Sequence, residues 1–73
     1  MESVEKQLVS SSTVISIGYD APTQTLEIEF GSGRVYQYYG VPDHTHAEIM
    51  QASSKARFFN MHIRNAFPFS RVA

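Results

Sequence analysis

Between Thr13 and Tyr39, apolar and polar residues alternate with the two-residue period of β-strands. "TVISIGYD" puts Ile15, Ile17 and Tyr19 on one side, with Val14, Ser16 and Gly18 on the other. "DAPTQT" reads as a turn, because Asp20 can bond backbone N–H groups and Pro22 presets its own φ. "TLEIEF" sets Leu26, Ile28 and Phe30 against Glu27 and Glu29. After "GSGR" a third stretch, "VYQYY", follows. Loop length decides how it pairs. A three-residue loop, Gly31-Ser32-Gly33, pairs Phe30 with Arg34, Ile28 with Tyr36 and Leu26 with Tyr38. A two-residue loop would bury Gln37, and an unpaired buried amide costs about 2 kcal/mol or more. A one-residue slip also exchanges the two faces. The three-residue loop, with Gly33 left-handed, is a favoured connection. Tyr36 and Tyr38 are therefore assigned to the core, and Val35, Gln37 and Tyr39 to the outer face with the glutamates.

Past Gly40 the period lengthens. "GVPDHTHAEIMQA" begins a helix: Pro42 suits a first turn, and Asp43 suits a cap or the positive helix end. Ala47, Ile49, Met50 and Ala52 give it an apolar stripe. "SSKARFFNMHIRNAF" is a second helix, capped by Ser53 or Ser54. Phe59, Ile63 and Phe67 recur every four residues as its buried seam, flanked by Phe58. Pro68 ends it. The expected fold class is α+β: a three-stranded antiparallel β-meander with two C-terminal helices packed on one face. Residues 11–73 form a single domain behind a loose polar N-terminus, residues 1–10.

With 73 residues the chain has room for one small core. It has no Cys, which excludes disulfides and Cys-based zinc sites, so stability rests on apolar packing, aided by any self-association. Its 42% apolar and 18% charged residues mark a globular chain. The opening "MESVEKQLVSSS" lacks the basic start and apolar run of a signal peptide. No stretch approaches the roughly 20 apolar residues that span a bilayer. A cytoplasmic protein without membrane contact is expected.

The net charge of −1 conceals a division. All seven acids lie in residues 1–50 with only Lys6 and Arg34. Residues 51–73 carry Lys55, Arg57, Arg64 and Arg71 and no acid. Such a cationic third suits phosphate contacts. The alternative is that acidic strands and basic helices attract each other within the fold.

Candidate chemistry narrows by exclusion. His44 and His46 stand two apart, about 200° around a helix, and no second cluster completes a metal site. Ser10–Ser12 have no nucleophile elbow or partners. Glu27 and Glu29 share a strand face with no pocket implied. "FGSGRVY" joins strand to strand without the Lys-Ser/Thr pair of a phosphate loop. No catalytic residue, metal, cofactor or small-molecule substrate is expected. Tyr39, on the outer face, is the stacking candidate, although Glu27 and Glu29 beside it would repel phosphates. Lys55, Arg57 and Arg64 line the second helix as phosphate contacts, and Arg34 extends the basic edge.

The chain resembles the KTSC domain family. That small domain occurs at the C-terminus of some lysyl-tRNA synthetases and as short stand-alone bacterial proteins. The resemblance rests on Tyr36-Gln37-Tyr38, then Val41-Pro42, then Phe58, Phe59, Asn60, Ile63 and Arg64, and covers about residues 11–72. Two departures from the family pattern involve three positions: Ala56 stands where Gly is usual, and Thr45 and His46 stand where bulky apolar residues are frequent. The second departure implies looser packing of the first helix; the resemblance implies no established activity, and RNA binding is suggested for the family because of its synthetase-linked members. Two functions are expected from these readings together. One is a non-catalytic module binding RNA, or an RNA-associated protein, through Arg34, Tyr39, Lys55, Arg57 and Arg64. The other is a protein-interaction module or homodimer that binds no nucleic acid, using exposed strand edges and an outer patch of Val14, Val35 and Tyr39.

Overall fold

The structure, a computed structural model, describes residues 14–73. The loose segment expected over residues 1–10 and the serines at 10–12 lie outside the described residues. Three strands run in antiparallel order: β1 (Val14–Asp20), β2 (Thr25–Phe30) and β3 (Val35–Tyr38). Helix α1 (Asp43–Gln51) follows, then α2 (Lys55–Phe58), which continues directly as a π-helical turn (Phe59–Ile63). The expected α+β class and meander are present. The sheet also gains a fourth strand, β4 (Phe69–Arg71), antiparallel to β3, in the order β1-β2-β3-β4.

The β2–β3 register is the one that the three-residue loop dictates. Leu26 faces Tyr38, Ile28 faces Tyr36, and Glu27 faces Gln37. The Phe30 N–H donates to the Arg34 carbonyl at 2.9 Å, and the Gly33 N–H to the Phe30 carbonyl at 2.9 Å. Gly33 has φ +91°, a region that L-residues with a Cβ avoid. Leu26, Ile28 and Tyr38 are buried, and Tyr36 packs half-buried beside them. Gln37 stays outside, donating to Glu27 Oε1 at 2.9 Å.

In β1 the alternation breaks. A bulge between Val14 and Ser16 pairs Val14 with Phe30 and Ser16 with Glu29. The extra residue reverses the parity at the strand's start. Val14 therefore packs against the core with Ile17 and Tyr19, whereas Ile15 is exposed. The expected grouping of Ile15 with the core, and of Val14 with an outer patch, is thus corrected.

The helices close the inner face of the sheet. Helix α1 packs through Thr45 and Ile49, one turn apart, while Ala47 and Met50 of the expected stripe are exposed. Thr45 is buried and His46 stacks on Tyr19 with ring centroids 4.5 Å apart, so these two residues fill their places. Pro42 sits at the N-cap, one place before the first helical turn, and its carbonyl accepts from the N–H of Thr45. Buried Val41 is held at both ends: its N–H donates to the Gln24 carbonyl, and its own carbonyl accepts from the Tyr19 hydroxyl. Ser54 caps α2, its Oγ accepting from the Arg57 N–H at 3.2 Å. Ala56 has no positive φ, so its Cβ carries no conformational cost there.

The second helix is shorter than expected. It gives way to turns after Ile63, and the chain reverses at Pro68, whose carbonyl accepts from the Tyr39 N–H at 2.9 Å. Pro disfavours a helical residue before it, which frees residues 69–71 to pair with β3. Phe59 and Ile63 remain buried and Phe67 is half-buried, so the seam survives the change of geometry.

Gly33→Ala should lower stability by about 1–2 kcal/mol through backbone strain alone, since a Cβ there meets nothing within 4 Å. Gly18→Ala, equally open but without positive φ, should cost less than about 0.5 kcal/mol. Urea titration followed by circular dichroism compares them, and equal losses would contradict the left-handed assignment.

Candidate functional site

The added strand creates a site. Between the β3–β4 edge and the helical segment lies a cleft of about 510 Å³. Its floor is aromatic. Phe69 lies 5.3 Å from Tyr38 and 5.7 Å from Tyr36, centroid to centroid, and the Tyr38 and Phe69 planes are 30° apart. Phe59 sets its edge against Phe30 and Tyr38, each at 5.3 Å. Phe69 is 54% exposed, the most open ring of the floor. Arg34, Arg64, Asn60 and Asn65 form the polar part of the lining. No carboxylate lines the cleft among the described residues. Arg71 stands opposite Tyr36 across the β3–β4 pair, its Nε donating to the Ala73 carbonyl at 3.0 Å.

The chain's local rules explain this grouping. Arg34 follows the parity of Tyr36 and Tyr38, so the register that buries those rings also carries Arg34 to the inner side. Asn60 and Arg64 are four apart across the π turn, which is closed by the Arg64 N–H donating to the Phe59 carbonyl at 2.9 Å. Burial raises the Tyr38 pKa above its ordinary value; Tyr36 pushes the same way and Arg64 opposes them. The Arg64 guanidinium is therefore within electrostatic reach of Tyr38.

The five residues singled out in the sequence do not gather. Arg34 and Arg64 meet in the cleft. Arg57 borders a separate depression with Phe58, Met61 and His62. Lys55 is half-buried and donates to the Ala52 carbonyl at 3.3 Å. Tyr39 is half-buried, and its hydroxyl donates to Gln37 Oε1 at 3.3 Å, in the network that includes Glu27. Phe69, Asn60 and Asn65 were missed. Phe69 lies on β4, which the sequence pattern does not declare; Asn60 belongs to the run that carries the family resemblance but is given no role there, and Asn65 carries no signal outside its helical setting. Among the described residues, no three His, Cys, Asp or Glu side chains gather as metal ligands. No described helix is long and apolar enough to cross a membrane.

These features define a small α+β domain: four strands, helices on one face, and an aromatic cleft bordered by arginines. The chain belongs to the KTSC domain family, whose sequence model it matches over residues 10–67. It is 39% identical over 62 residues to a lysine–tRNA ligase from Nostoc punctiforme, a match covering 85% of this chain and 11% of the ligase. The chain thus spans a small fraction of that relative's length. An uncharacterized protein from Stutzerimonas stutzeri is 39% identical over 57 residues, 78% of this chain and 80% of its own. The crystal structure of a KTSC domain protein from Yersinia pestis is similar with a TM-score of 0.81 at 45% identity, covering 92% of this chain and 94% of that one.

The raised Tyr38 pKa has a consequence at alkaline pH. The folded state favours the neutral phenol, so its contribution is complete below pH 10.0, the ordinary tyrosine value, and is lost as pH rises through the higher folded-state pKa. Tyr19 acts in the same sense, through burial and the nearby carboxylates of Asp43 and Asp20. Stability of the wild type should fall above pH 10, and that of Tyr38→Phe should fall less steeply. Urea titrations across this range check it; parallel slopes would contradict it.

Proposed function

We propose that the chain is a non-catalytic domain that binds single-stranded RNA in the β3–β4 cleft. The observation that carries this reading is the pairing of two arginines with an open aromatic floor in a cleft free of described carboxylates. Single-stranded RNA offers the two complementary features, phosphates for guanidinium groups and unstacked bases for aromatic rings. Arg34 and Arg64 contact phosphate, and Phe69, backed by Tyr36 and Tyr38, stacks a base. Lys55, Arg57 and Tyr39, expected from the sequence to share this role, lie elsewhere. The similarity to a protein named lysine–tRNA ligase adds support for an RNA ligand.

Fluorescence anisotropy with a short labelled oligouridine tests the reading. With two phosphates neutralised, log affinity should fall with log salt at a slope of about −1.4, so a fourfold rise in salt weakens binding about sevenfold. Arg34→Ala and Arg64→Ala should each weaken binding and flatten the slope, whereas Lys55→Ala and Arg57→Ala should leave both near wild type. Loss in the second pair and not the first would move the site to the helix surface. No binding at low salt, with a molecular mass that rises with concentration in sedimentation, would favour the homodimer.

A further inference from the structure

The cleft also contains two side chains suited to reading a base rather than merely holding a strand. Asn60 and Asn65 both line it, and both are exposed. They are five apart, and in an α-helix that spacing turns the second about 140° from the first. The segment between them is not a regular α-helix: a π turn over Phe59–Ile63 is followed by turn residues. The i→i+5 bonding of the π turn widens the helical path at Asn60, and Asn65 follows it in the turn after Ile63. The Arg64 N–H bond to the Phe59 carbonyl is such a bond. Both amides and Arg64 thus line the same cleft as Phe69.

An asparagine amide offers one donor beside one acceptor. Adenine presents the complementary pair at N6 and N7, and Asn takes it in bidentate fashion. A volume of about 510 Å³ lies within the range of sites that enclose one small ligand, enough for a single nucleotide unit and not for a duplex. We infer that the cleft takes one unpaired adenine, stacked on Phe69, with Asn60 and Asn65 as the residues that determine base identity. This rests on the RNA-binding reading and deepens it.

Anisotropy titrations of the full chain with short labelled oligoadenosine, oligocytidine and oligouridine provide the test. Oligoadenosine should bind about tenfold more tightly than oligouridine. Asn60→Ala and Asn65→Ala should weaken oligoadenosine binding more than oligouridine binding, so that the roughly tenfold preference shrinks toward parity. Thermal unfolding of each variant checks that it folds; Asn65→Asp, which keeps the shape but removes the amide donor, serves as a second variant and should also lose the preference. Equal affinity for the three oligonucleotides, or a preference unchanged in all the variants, would overturn base reading while leaving RNA binding intact. Failure of all three to bind would overturn both.

Discussion

The architecture depends on one short closure, the Phe30 N–H bonded to the Arg34 carbonyl across Gly31-Ser32-Gly33. This contact fixes the parity of the hairpin. With it in place, Leu26, Ile28 and Phe30 point to the same side as Arg34, Tyr36 and Tyr38. A slip of one residue would put Gln37 under the helices and both tyrosines into solvent, losing apolar burial and leaving an amide to desolvate. Core and cleft therefore share one determinant. The residues that seal the core at Ile28 and Leu26 continue, without a change of face, into the residues that border the cleft.

Charge is divided by face more than by position along the chain. Glu27 and Glu29 point away from the helices and are occupied by Gln37 and Ser16, with Tyr39 joined to the same network. On the other side, Arg34 from the hairpin and Arg64 from the helical segment converge, although they come from the acidic and basic parts of the sequence. Cationic side chains thus border the exposed Phe69 ring, while Glu27 and Glu29 lie on the opposite side of the sheet.

What could be read from the sequence follows from the range of the forces involved. The β2–β3 register was legible because turn geometry and the penalty for burying Gln37 act within a dozen residues. The seam of Phe59 and Ile63 was legible because both are buried whether the helix is α or π. The bulge at Val14–Ser16 was not, since an alternating string looks the same until its partner strand is known. Strand β4 is only three residues long and forms by pairing with β3, more than thirty positions earlier in the sequence, so its own pattern is too brief to declare it. The cleft depends on that strand and on the π turn. Arg34 and Arg64 could thus be named as basic candidates, but their meeting, and the part taken by Phe69, Asn60 and Asn65, could not. In α1 the apolar stripe misled because a short helix packs through a single line, Thr45 and Ile49, leaving Met50 outside.

The most direct measurement is amide and side-chain chemical-shift mapping by NMR during titration with oligoadenosine. The account predicts shifts concentrated at Arg34, Tyr36, Asn60, Arg64, Asn65 and Phe69, with Glu27, Gln37 and Tyr39 unmoved. Shifts clustered on the glutamate face, or along Lys55 and Arg57 with the cleft silent, would contradict it.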